Sequence, residues 1–129
     1  MKKILFLAAA FAISLTSFSQ TKLEDAAKFN TEKHDFGKIK QGIPAVYYFE
    51  ITNNLKTPLV IESATSSCGC TVPEYPKEPI AYSKTAKIKV QYSAAGIGPF
   101  EKDVYIKIAG IDASKILKIT GEVVAPTSN

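Results

Sequence analysis

The sequence predicts an all-β antiparallel sandwich of about seven strands behind a cleavable leader. Three observations carry that expectation. Apolar and polar residues alternate at a period of two through several segments. Turn-forming stretches separate these segments at short intervals, and no internal segment sustains the 3.6-residue period of an amphipathic helix. A chain of this pattern buries one face of each strand by stacking two sheets.

The chain opens with "MKKILFLAAAFAISLTSFSQ". Lys2 and Lys3 form a positive start, Ile4 to Leu15 an apolar run of 12 residues, and Ser17 and Ser19 the small residues that a signal peptidase reads. A bilayer-spanning helix needs about 20 apolar residues, so the run reads as a leader rather than an anchor. Residues 1–19 are expected to be removed, leaving a mature chain that starts at Gln20, is exported to the periplasm or beyond, and has no membrane span. Residues 20–30, with "KLEDAAKF", read as a leader to the domain or two helical turns, 31–126 as the sandwich, and 127–129 as a tail.

Within the sandwich, a weak first strand is expected from Thr31 to Phe36. "VYYFEIT" sets Tyr47, Phe49 and Ile51 opposite Tyr48, Glu50 and Thr52, and "LVIESAT" follows Pro58. "AKIKVQY" sets Ile88 and Val90 opposite Lys87 and Lys89; "DVYIKI" aligns Val104, Ile106 and Ile108; "ILKITGEV" aligns Leu117, Ile119 and Val123. Because strand side chains alternate sides, Ile88, Val90, Val104, Ile106, Leu117 and Ile119 are predicted to share one core. Gly121 breaks the last apolar row and marks a bulge or a close backbone approach. "NNLKTP", "YSKT", "AAGIGP" and "AGIDAS" supply the turns. The layout is immunoglobulin-like, without the antibody hallmarks: there is no Trp, and the two cysteines are too close in sequence to bridge distant strands.

Charge excludes one class of partner. The formal net charge is +4, but Lys2 and Lys3 lie in the leader, and every basic residue is Lys. Arginine's planar fork is the usual tool for phosphate and base edges, and the lysines alternate along strands rather than cluster, so no nucleic-acid binding is expected.

The chemistry-bearing residues are few. His34 is the lone histidine, and a Cys–His nucleophile pair would require it to reach Cys68 across the fold; the simpler reading is a surface or turn histidine. No phosphate loop, nucleophile elbow or paired-carboxylate motif occurs, so no catalytic residue and no cofactor is expected. "SSCGCTVPEYPKEP" holds both cysteines. On an extended strand Cys68 and Cys70 would face one way as two soft ligands. Zinc wants four ligands and finds at most three here, whereas a two-thiolate Cu(I) site stays open. In an oxidising compartment the pair is expected to form a disulfide, with Gly69 supplying the bend that brings alpha carbons about 6.6 Å apart on a strand into bonding range. Redox use of the pair also stays open. Pro73, Pro76 and Pro79 fall at the three-residue period of polyproline II; either they form a recognition segment or, the simpler reading, a stiff connection crossing between the sheets.

"HDFGKIKQG", "YFEITNN", "TPLVIESATSSCGCTVPEYPKEPI", "GPF" and "GEV" together run over nearly the whole mature chain. In this combination the sequence resembles the bacterial domain-of-unknown-function family 1573. The resemblance implies export and a fold similar to the immunoglobulin-like modules of the major sperm protein and Hydin type, and it implies no activity. Its motif falls on Phe36, Gly37, Asn53, Cys68, Gly69, Cys70, Thr71, Gly98 and Gly121. Two turns depart from the family pattern: Tyr82-Ser83 stands where relatives tend to have Pro-Gly, and Ala109-Gly110 where Asn is common. The function expected is that of an exported non-enzymatic binding or structural module, its partner a protein or cell-envelope component. The alternative is redox or copper handling at Cys68 and Cys70.

Overall fold

A computed structural model describes residues 21–126; the expected leader with its cut before Gln20, and the tail 127–129, fall outside the described residues. A short helix α1 (Leu23–Ala26) leads into strands β1 (Ala27–Phe29), β2 (Lys33–Lys40), β3 (Ala45–Asn53) and β4 (Ile61–Ser66). Then follow β5 (Thr71–Glu74), β6 (Thr85–Tyr92), β7 (Gly98–Ile108) and β8 (Lys115–Val124). They form two four-stranded sheets, ordered β1-β3-β6-β5 and β2-β8-β7-β4.

The period-two rows become the facing inner surfaces. Phe49 and Ile51 of β3 join Ile88 and Val90 of β6 against Val104 and Ile106 of β7 and Leu117 and Ile119 of β8, all at 0% exposure. The six core residues expected from alternation are thus buried together, while Lys87 on the opposite face of β6 is exposed. Dry apolar contact between these faces supplies the main driving force for stacking the sheets.

Four features differ from the sequence expectation. The segment 20–30 is not merely a leader: β1 pairs with β3, Ala27 opposite Asn53 and Phe29 opposite Ile51, and Leu23, Ala26 and Ala27 are buried. These small and apolar side chains close the edge of the first sheet. The first expected strand runs Lys33–Lys40 and lies parallel to β8, so the second sheet is mixed rather than purely antiparallel. Residues Thr71–Glu74, read as part of a proline-rich connection, form edge strand β5; Pro73 is tolerated there because an edge strand leaves one side of its backbone unpaired. The passage between sheets is made at residues 67–70, not along the prolines, since β5 and β6 lie in the same sheet.

Gly121 is a site of close approach. A Cβ there would stand 2.7 Å from Phe100 Cζ and 2.9 Å from the Gly37 carbonyl oxygen. Opposite it, β2 bulges between Asp35 and Lys38, with Gly37 at φ +66 and its N–H donating to Asp35 Oδ1 at 2.8 Å. The missing side chain on β8 therefore makes room for the Phe100 ring and the bulge together. Gly121→Ala is expected to cost about 1–3 kcal/mol, because the carbonyl it meets is main chain and yields less readily than a ring. Lys87→Ala should change stability by less than about 0.5 kcal/mol. Urea denaturation of both variants checks the pair, and equal effects would contradict this packing.

Candidate functional site

The two cysteines lie in the turn joining β4 to β5. Ser66 ends β4 opposite Val104, and its hydroxyl donates to the Asp103 carbonyl at 3.0 Å. Thr71 begins β5 opposite Tyr92, with its side chain turned inward at 3% exposure. Between them the Thr71 N–H donates to the Cys68 carbonyl at 3.2 Å, and the Ser93 N–H donates to the Cys70 carbonyl at 2.9 Å. The sulfurs of Cys68 and Cys70 stand at disulfide distance, with alpha carbons 5.2 Å apart. That is shorter than the strand spacing expected from sequence because residues 67–70 turn rather than extend. Gly69 is not the reason: its φ lies outside the left-handed region, and a Cβ there would meet nothing within 4 Å.

The sulfurs have distinct surroundings. The Cys70 N–H points at Cys68 Sγ at 3.2 Å, while Cys70 Sγ lies 3.8 Å from the Thr71 hydroxyl. Cys70 packs against the core, and Cys68 sits between exposed Ser67 and Gly69. While bonded to each other, neither is the thiolate that Cu(I) requires. Among the described residues no group of three or more His, Cys, Asp and Glu side chains is placed to hold a metal ion.

The motif residues fall in three places. Cys68, Gly69 and Cys70 lie in the turn and Thr71 begins β5, while Gly98, at the start of β7, pairs with Val123 two residues from the Phe100–Gly121 pair. Phe36 and Gly37 lie at the β2 bulge, facing Gly121 through Phe100. Asn53 sits at the far end of β3, eight residues or roughly 26 Å from the Ala45 end that pairs with Tyr92. Its buried amide is fully used: Nδ2 donates to the Thr57 and Ile80 carbonyls, both at 2.8 Å, and Oδ1 accepts from the Leu55 N–H at 2.7 Å. Asn53 therefore fixes loops and leaves no polar atom for a ligand.

His34 is not a turn residue: it lies on β2 and is half-buried. Its ring stacks on Tyr47, centroids 3.7 Å apart, and meets Phe36 edge-on at 4.7 Å. These contacts bridge the two sheets, since Tyr47 lies on β3 and His34 on β2. A hollow of about 520 Å³ opens over the β2 bulge, lined by Asp35, Lys38, Glu101 and Glu122 among others, and includes no residue of the cysteine turn.

The sequence reading missed what surrounds the cysteine turn. The Gly42 N–H donates to the Ala94 carbonyl at 2.9 Å, and the Gln41 side chain to the Ala95 carbonyl at 3.0 Å. Together with the Ser93–Cys70 bond, these tie the loops 41–44 and 93–97 to the cysteine end of the sandwich. Ile43 and Ile97, on those loops, are 58% and 62% exposed. Val46 and Val72 flank Gln91 on the outer face of the first sheet and are 41% and 50% exposed. An isoleucine inside each of the turn stretches "QGIPA" and "AAGIGP" was the available signal, since a turn gives it no core to enter.

Comparison with known proteins adds family and fold. Residues 27–123 match the family described as "Protein of unknown function (DUF1573)". A crystal structure of a protein of unknown function from Porphyromonas gingivalis W83 is similar at TM-score 0.66 and 16% identity, over 75% of this chain and 46% of that one. The chain thus spans under half of that protein's length. PapD-like domain 7 of human CEP192 is similar at TM-score 0.68 and 8% identity, covering 80% of this chain and 88% of that domain. WR4, an MSP family member from C. elegans, follows at TM-score 0.53 and 10% identity, covering 78% and 99%. No curated protein sequence matches significantly. At these identities the structural likenesses establish an immunoglobulin-like fold.

Burial, the larger effect, lowers the His34 pKa from 6.5, and the charge of Asp35 partly offsets it. The fold therefore favours the neutral ring, and the unfolded chain binds the proton first as pH falls. Stability should be complete above pH 6.5 and decline as pH drops below that value toward the lower folded one. Melting temperatures between pH 7.5 and 5 should show this decline in the natural protein and lose it in His34→Phe; an unchanged decline in the variant would assign it elsewhere.

Proposed function

The chain belongs to the DUF1573 family, and on that premise we propose that it is an exported, non-enzymatic protein-binding module whose contact surface is the cysteine end of the sandwich. The observation that carries this reading is the exposure of Ile43, Val46, Val72 and Ile97, which lie on the loops 41–44 and 93–97 and on the ends of β3 and β5 that share the cysteine end of the sandwich. Several large apolar side chains left in water at one end of a domain are a common mark of a surface that a partner covers. Export rests on the charge and apolar pattern of residues 1–19. The non-enzymatic part is supported by His34, the lone histidine, being stacked between aromatic rings rather than set beside a nucleophile.

The partner is expected to be another protein of the cell envelope that offers apolar side chains to this rim. A photo-crosslinking residue placed at Ile97 should give discrete higher-mass adducts in intact cells. The same residue at Asp112, in the loop between β7 and β8 at the opposite end, should give none. Equal adducts from both positions, or none from Ile97, would contradict the assignment of this surface.

A further inference from the structure

We propose that the Cys68–Cys70 pair is a thiol–disulfide exchange site that accepts two electrons from a dithiol, with Cys68 the sulfur attacked and Cys70 the first to leave. The inference does not depend on the docking surface, because a small dithiol needs no partner protein.

The bond does little for the fold. It closes a ring of three residues, and so short a loop restricts the unfolded chain only slightly. The passage between sheets is held without it by Ser66 to Asp103, Thr71 to Cys68 and Ser93 to Cys70, and by the pairing of Thr71 with Tyr92. None of these hydrogen bonds requires the sulfurs to be joined. Reduced and oxidised forms can therefore share one backbone, which an exchange site requires and a staple does not.

The two sulfurs are also set differently in the turn. Both sulfurs belong to half-buried residues, but Cys70 packs against the core, whereas Cys68 lies in the turn between exposed Ser67 and Gly69, on the side an incoming thiolate would approach. Attack by one sulfur of the dithiol on Cys68 Sγ forms a mixed disulfide and breaks the Cys68–Cys70 bond. The bonding pair leaves with Cys70 as a thiolate, beside the Thr71 hydroxyl at 3.8 Å. The second sulfur of the dithiol then attacks its own partner in the mixed disulfide. Cys68 is released as a thiolate, facing the Cys70 N–H at 3.2 Å. A thiolate accepts such a hydrogen bond far better than a disulfide sulfur does. The dithiol is oxidised to its disulfide, the protein gains two electrons, and solvent supplies the two protons that complete the thiols.

Dithiothreitol serves as the probe on the natural chain, followed by alkylation and peptide mass. Reduction in native buffer without denaturant should label both cysteines and leave the far-ultraviolet circular dichroism unchanged. With oxidised glutathione, Cys70→Ser should trap a mixed disulfide on Cys68 roughly tenfold faster than Cys68→Ser traps one on Cys70. A bond that yields only in denaturant, a domain that unfolds when the bond is reduced, or trapping at Cys70 as fast as at Cys68 overturns the proposal. The measurement on the natural chain stands even if a variant fails to fold.

Discussion

The passage from the second sheet to the first at residues 67–70 is the constraint on which the rest of the molecule depends. Ser66 is still paired with Val104, and Thr71 is already paired with Tyr92. Stacked sheets lie about 10 Å apart, and five alpha-carbon steps reach at most about 18 Å, so the chain has room for one tight turn and nothing more. That economy pulls Thr71 into the core and brings the edges of β4 and β5 side by side. It also sets which loops share an end with the cysteines: 41–44 through β3 and 93–97 through β6.

The other side of the sandwich is organised by the absence of a side chain. Gly121 leaves a gap on β8 that Phe100 fills from β7, and Phe100 in turn stacks on Tyr92, ring centroids 3.9 Å apart. Phe36 lies 6.4 Å from the Phe100 centroid, and His34 links Phe36 to Tyr47 of the opposite sheet. The aromatic seam thus runs from one sheet to the other, with the β2 bulge folded over it. Phe36, Gly37 and Gly121 act as one packing unit around the Phe100 ring.

What the sequence disclosed is what local periodicity encodes. Alternation in "AKIKVQY", "DVYIKI" and "ILKITGEV" identified the inner faces because a half-buried strand must alternate. Three-residue β1 and four-residue β5 are too short to show a period, and Pro73 argued against a strand until its edge position was known. The parallel pairing of β2 with β8 joins residues more than 80 positions apart, which no local pattern records. Ser83 adopts φ 62, the left-handed conformation that favours glycine, and nothing in the sequence of "AYSKT" announces it. The site was legible only as a pair of cysteines. Its apolar surround depends on loops from three parts of the chain meeting at one end.

The central claim is that hydrogen bonds and burial, not the sulfur–sulfur bond, hold the passage between the sheets. Urea denaturation of the oxidised and the reduced natural protein, compared at equal pH, tests it most directly. The account predicts a cooperative transition in both forms with similar slopes, and a stability difference no larger than about 1.6 kcal/mol, the chain-entropy value for a three-residue ring. A difference of about 3 kcal/mol or more, or a reduced chain with no cooperative transition, would contradict it.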